Sequence, residues 1–192
     1  RLRPSGASGP LVTSLKAFEK YQRENAWTWE QQALVRARPV AGCPRLGQRF
    51  VQLRRELLGL SRDTGALRTE VLAMRERMHA EKPSPDASRF HLKRDAGGIV
   101  DIEFMVQYGV LRWAHSHPEL TLWTDNVRLL ETLAAQELMP AADAGLLREA
   151  YLAFRSATHS QSLRNEPAQV PAEQFQELRA GVRAVRTRWF AV

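Results

Sequence analysis

The sequence predicts a mainly α protein. Three observations carry that expectation. Apolar residues recur at spacings of three and four along most of the chain. Leu67, Val71, Met74 and Met78 form a heptad-like seam suited to packing on other helices. From Gly97 onward, periodic segments follow one another through short loops, as in a bundle.

The elements follow in chain order. Arg1-Leu2-Arg3 alternates charge and apolar character, as the end of a strand does, and Pro4-Ser5-Gly6 reads as its turn. Ser14 is placed to cap a helix over LKAFEKYQREN, with Ala17, Phe18 and Tyr21 on the apolar side. Trp27, Leu34 and Val35 fall near helical spacing in the next segment, which Pro39 ends. A third helix is expected over Pro44 to Leu60, with Phe50, Leu53, Leu57 and Leu58 on one face. Ser61 or Thr64 caps the helix that carries the seam. EKPSPDASR is the clearest linker. A short extended piece, the Gly97-Gly98 turn and a long helix come next. Thr124 or Asp125 caps the following helix, and two more complete the chain, the last with Pro171 in its first turn.

The 192 residues can bury a real core, and 44% hydrophobic with 26% charged residues is ordinary for a globular protein. One cysteine, Cys43, forbids an internal disulfide and suits a reducing, cytoplasmic location. The N-terminus lacks a signal-peptide pattern, and no apolar run approaches the roughly 20 residues that cross a bilayer. The net charge of +7 invites phosphate-bearing partners, or reflects helices solubilised by arginine. The basic residues are spread over many segments and no nucleic-acid recognition motif accompanies them, so neither nucleic acid nor membrane is expected as a partner.

The densest chemistry lies in Lys93-Arg94-Asp95-Ala96-Gly97-Gly98-Ile99-Val100-Asp101-Ile102-Glu103-Phe104. A Gly-Gly turn before a helix can present backbone N–H groups to an anion, with Lys93 and Arg94 adding charge. Asp101 and Glu103 also fit a simpler role, because the helix dipole favours acids in the first turns. Two residues apart on a helix point roughly 200° apart, so this pair cannot share one metal. The five histidines show no metal-ligand spacing. Arg36 and Arg38, with Arg1 and Arg3, form a basic region that either binds phosphate or pairs with Glu24 and Glu30.

RLRPSGASGPLV, AWTWEQQALVRARPVAG and KRDAGGIVDIEF occur here in this order, and EVLAMRERM and WTDNVRLLETLAAQ lie between and beyond them. Together these stretches resemble the glutamate–ammonia-ligase adenylyltransferase family, whose members modify glutamine synthetase, and the resemblance covers essentially the whole chain. It implies a protein with two nucleotidyltransferase halves. One attaches AMP from ATP to a tyrosine of glutamine synthetase, and the other removes it by phosphorolysis. Ser5 after Pro4, and Asp101 before Ile102, look like the C-terminal, adenylylating half, because the removing half typically has Phe and Glu there.

The resemblance further implies Mg²⁺ and ATP as cofactors of the parent enzyme, and glutamine synthetase and the PII signalling protein as partners. The family's three metal-binding carboxylates fall upstream of Arg1, so no catalytic or metal-ligating residue is assigned here. The chain alone is expected to be inert, with no cofactor bound. Residues 1–60 are expected to be the remnant of a nucleotidyltransferase α/β domain, with one or two short strands at most, and residues 61–192 a helical bundle. Arg1, Arg3, Ser5 and Gly6 would lie beside the metal site. Trp29, Glu30, Arg36 and Arg38 belong to the family's WE…VRAR segment. Lys93, Gly97, Gly98, Asp101 and Glu103 belong to its K-x-x-x-G-G-x-x-D-I-E-F motif, expected to face the catalytic cleft and contact nucleotide or glutamine synthetase. A further reading is an interaction module that docks glutamine synthetase or PII without chemistry of its own.

Overall fold

The computed structural model describes residue 4, residues 9–80, residue 86 and residues 88–191. Arg1, Arg3, Ser5 and Gly6, with the strand end and turn expected there, lie outside the described residues, as does most of the linker before Ser88. The described chain is mainly α. Its helices are α1 (Leu15–Glu24), α2 (Thr28–Val35), α3 (Pro44–Leu58), α4 (Thr64–Ala80), α5 (Ile99–Trp113), α6 (Asn126–Ala135), α7 (Ala141–Leu163) and α8 (Gln176–Trp189). A 3-10 turn spans Pro118–Thr121. The strands β1 (Arg89–His91) and β2 (Gln169–Pro171) make one antiparallel ribbon, with Phe90 opposite Val170. No described helix is long and apolar enough to cross a membrane.

Contacts divide the chain into two compact units, each assembled from two stretches. One takes the chain up to Val71 with Gln107–Leu129, and the other takes Leu72–Val106 with Leu130–Val192.

In the first unit, Ser14 caps α1 as expected, its Oγ accepting from the Ala17 amide at 3.2 Å. Of the apolar side of α1, Phe18 is buried, Tyr21 half-buried and Ala17 exposed. Phe18 meets Phe50 of α3, with centroids 6.0 Å apart. Leu53, Leu57 and Leu58 are buried along α3 as its spacing requires. The cap of α4 lies between the two expected residues: Asp63, not Ser61 or Thr64, accepts from the Ala66 amide at 2.6 Å. A carboxylate is a strong N-cap acceptor and also favours the positive helix end. α2 ends at Val35, four residues before Pro39, and Asp125 caps α6 by accepting from the Arg128 amide at 2.9 Å.

Arg54 is a buried charge that the helical pattern does not explain. It is 3% exposed on the apolar face of α3. Its Nε donates to Leu34 O at 2.7 Å, and Nη2 donates to Val35 O at 2.6 Å. Nη1 reaches Thr121 O at 2.6 Å, and Nη2 also reaches Trp123 O at 3.0 Å. No carboxylate pairs with it among the described residues. Burial pushes its pKa down to about 10, so it stays charged at neutral pH.

In the second unit, Phe90 of β1 packs edge-on against Phe154 of α7 at 5.5 Å, and Phe154 meets Phe175 in the same manner at 5.4 Å. The far half is therefore not all helix. Two three-residue strands tie segments some eighty positions apart: β1 lies in the extended piece expected there, and β2 is too short to register as a strand in the pattern. Pro171 is likewise not in a first helical turn. It ends β2 opposite Arg89, where its missing N–H costs nothing because the next amide, Ala172, continues the pairing to Ser88 O at 2.9 Å. The heptad-like seam also fails beyond Val71. Met74 is half-buried and Met78 exposed, while Arg75 is buried one turn past Val71.

After β1 the chain turns on His91. Its Nδ1 accepts from the amides of Lys93 and Arg94, both at 3.3 Å, and its own amide donates to Asp95 Oδ2 at 2.8 Å. Partial burial, then the Arg94 charge, lowers the His91 pKa below 6.5. Acid therefore protonates the unfolded chain first at this site, and stability is lost as pH falls from 6.5 toward the lower folded value. Replacing His91 with Asn keeps a short acceptor without a titrating ring. Unfolding free energies measured from pH 7.5 to 5 should then fall less steeply than in the parent protein. Equal slopes would mean that His91 has no part in the acid response.

Candidate functional site

The Gly97–Glu103 segment is built around one buried carboxylate. Gly97 has φ +83°, a left-handed conformation that glycine adopts without steric cost. A Cβ there would lie 2.6 Å from the Arg179 carbonyl oxygen of α8, and one at Gly98 would lie 2.7 Å from Leu92 O. Both glycines therefore permit close backbone packing. Their amides are used within the chain: Gly97 N–H donates to Asp101 Oδ2 at 2.6 Å, and Gly98 N–H to Asp95 O at 2.9 Å. The amides of Ile99 and Val100 bond Leu92 O and Lys93 O. The first amides of α5 thus serve the turn itself, and both glycines allow the close packing around it.

Asp101 is more than an acid that suits a helix start. Its Oδ1 accepts from Arg75 Nε of α4 at 2.6 Å, with side chains 3% and 6% exposed. Arg75 Nη2 donates to Arg94 O at 2.9 Å. Arg186 of α8 brings its Nε to 3.8 Å from the same Oδ1 and is 31% exposed. Arg179 donates from Nε to Ala96 O at 2.9 Å and lies over the Phe90 ring at 4.5 Å. Trp189 donates to Met105 O at 3.1 Å. α4, α5 and α8 are thereby fastened around the turn. Beside Asp101 a cavity of about 280 Å³ opens, lined by Arg75, Glu76, His79, Ala80, Ala96, Asp101 and Arg186.

Each oxygen of Asp101 is held inside the chain, Oδ1 by the Arg75 guanidinium and Oδ2 by the Gly97 amide. Among the described residues no three His, Cys, Asp or Glu are grouped to hold a metal ion. Lys93 is exposed beside the turn, and Glu103 is half-buried on α5.

The WE…VRAR segment belongs to the other unit. Glu30 is 3% exposed and accepts from Tyr21 Oη at 3.1 and 3.0 Å and from the Trp27 amide at 3.1 Å. It thus caps α2 and ties it to α1. Trp29 is 37% exposed. Arg36 and Arg38 are exposed after α2, and Arg38 has no ion pair among the described residues. Glu24 faces Lys20 at 3.9 Å. Arg75 and Arg186, which shape the cavity, were not singled out by the sequence reading. Arg75 was legible as a charge at i+4 and i+8 from Val71 and Leu67, inside the apolar face.

Residues 1–53 match the family model for glutamate–ammonia ligase adenylyltransferase, and residues 66–177 match the model described as GlnD PII-uridylyltransferase. Three curated relatives carry the name bifunctional glutamine synthetase adenylyltransferase/adenylyl-removing enzyme. The Pseudomonas putida protein is 52% identical over 96% of this chain and 20% of its own length. That of Thioalkalivibrio sulfidiphilus is 54% identical over 98% of the chain and 19% of its own length. That of Hahella chejuensis is 48% identical over 100% of the chain and 20% of its own length. The chain spans about a fifth of the length of the curated relatives it matches. The chain belongs to the glutamate–ammonia ligase adenylyltransferase family, and its residues 66–177 to the domain family described as GlnD PII-uridylyltransferase.

Proposed function

We propose that these residues supply the end of a nucleotidyltransferase domain, residues 1–60, and the helical domain after it, residues 61–192. The enzyme they serve transfers AMP from ATP to a tyrosine of glutamine synthetase and in the full protein also removes it. The observation that carries this reading is identity near one half, over 96–100% of the chain, with proteins named for both activities. The family-model boundaries, 1–53 and 66–177, support the division near residue 60. Mg²⁺ and ATP belong to the whole enzyme, which works in the cytoplasm. Arg1, Arg3, Ser5, Gly6, Arg36, Arg38 and Lys93 are the residues assigned here to nucleotide phosphate. Asp101 positions the turn that carries Lys93 and is not a metal ligand.

The 192-residue chain alone is inactive in this reading. The test is AMP transfer from labelled ATP to purified glutamine synthetase with Mg²⁺, using this chain and a form extended upstream through the family's three carboxylates. Labelling by the extended form alone is the expected result. Labelling by this chain alone would make its own carboxylates catalytic and overturn the assignment. No labelling by either form would remove the adenylylation reading. It would favour the second one, a helical module that docks glutamine synthetase or PII, which the match to a PII-uridylyltransferase domain supports. A pull-down with each protein then tests that module.

A further inference from the structure

We propose that the cavity beside Asp101 binds the dianionic phosphate of a phosphomonoester through Arg75 and Arg186, with His79 at its edge. The proposal rests on this cavity alone and not on the transfer reaction. Its volume of about 280 Å³ lies just below the range of ligand pockets, which begins near 300 Å³, so it suits a small anionic group rather than a whole nucleoside triphosphate. The lining already holds its cations in place. Arg75 is fixed by Asp101 through Nε and by Arg94 O through Nη2, and Nη1 has no hydrogen bond among the described residues. A guanidinium anchored on one edge presents the other edge at no further ordering cost.

Arg186 approaches Asp101 only to 3.8 Å, beyond hydrogen-bond length, and is 31% exposed. Its donors remain available to a ligand. The Arg75 guanidinium balances the Asp101 charge, so the lining is not left negative by it. Arg183, one turn before Arg186 on the same helix, is exposed and has no ion pair among the described residues, so it adds positive potential nearby. Glu76 is the one acid of the lining left uncommitted, exposed on α4. It opposes an anion, and that opposition gives the proposal a second, independent test.

The experiment is a calorimetric titration of the 192-residue chain with inorganic phosphate, AMP and ATP, without divalent cations, at 0.15 M salt. The His79 ring and Gly97 amide resonances are followed in parallel. AMP and phosphate should both bind and shift these resonances. Arg186→Gln should weaken AMP binding about tenfold, the size expected when one charge-assisted hydrogen bond is lost. Arg186→Lys should recover part of it. Glu76→Gln should tighten binding about two- to threefold by removing a like charge. Both residues are partly or wholly exposed, so these variants keep the fold. Binding of AMP without phosphate, lost equally in Arg186→Gln, would still support the site and identify the nucleotide as the source of its phosphate. Absence of binding by all three probes would overturn the proposal, as would binding that neither Arg186→Gln nor Glu76→Gln alters. Failure of AMP transfer to glutamine synthetase would leave it standing.

Discussion

Replacing Arg75 with Met should destabilise the unit that contains it by about 3 kcal/mol, the lower end of the cost of removing one partner from a buried ion pair. The cost arises on the Asp101 side. Asp101 is 3% exposed, and without Arg75 its negative charge stays out of water with one amide and a distant guanidinium for company. Arg186, 3.8 Å away and partly exposed, can move closer and recover some of that loss, which is why the lower end is expected. Asp101→Leu should cost more. It strands the Arg75 charge and also the Gly97 amide, and an orphaned buried donor adds about 1–3 kcal/mol. The double variant should cost less than the two single ones added, with a coupling of about 2 kcal/mol. Urea unfolding gives the stabilities, and hydrogen exchange at the Gly97 amide reports the local event. An Arg75→Met cost below about 1 kcal/mol, or strict additivity in the double variant, would show that the pair is not what holds the turn.

Much of the helical framework was legible because it obeys periodicity. Ser14, Pro44 and the Leu53–Leu57–Leu58 face behave as their spacing requires. The whole-chain resemblance was legible because its motifs are long and irregular. What escaped the pattern has a common physical cause. Arg54 and Arg75 both sit on apolar helix faces, where a charge is stable only if partners distant in sequence satisfy it. Arg54 finds carbonyls at residues 34, 35, 121 and 123, and Arg75 finds a carboxylate at residue 101. A helical repeat can flag such a charge as out of place but cannot name its partner. β1 falls in the extended piece expected before the Gly97-Gly98 turn, but β2 and its pairing with β1 escaped for the same reason, since that pairing spans about eighty residues. Asp101 sits in the first turn of α5, where the helix dipole favours an acid. Its burial depended on α4 and α8 arriving from elsewhere in the chain.

Arg54 supplies the other large effect, and here no carboxylate is involved. Leu34 and Val35 end α2, where carbonyl oxygens have no further helical amide to accept from and the helix dipole is negative. Thr121 and Trp123 add two more carbonyls from the loop after the 3-10 turn. One fork of donors serves all four, which joins α2, α3 and this loop. Arg54→Met keeps the length and apolar stem but leaves those oxygens facing hydrocarbon. Each such oxygen costs about 1–3 kcal/mol, yet Leu34 O also accepts from the Ala37 amide at 3.0 Å, so it is not fully orphaned. Removing a buried cation also returns its desolvation cost. The net expectation is a loss of about 3 kcal/mol, and a melting temperature lower by about 6–12 °C for a chain of this size. Arg54→Lys should fall between, because an ammonium offers three donors from a single point and cannot span four separated oxygens. Thermal unfolding followed by circular dichroism orders the three proteins. If Arg54→Met melted with the parent, the four carbonyls would have to be satisfied by water, and the clamp would contribute nothing to the stability of the unit that carries it.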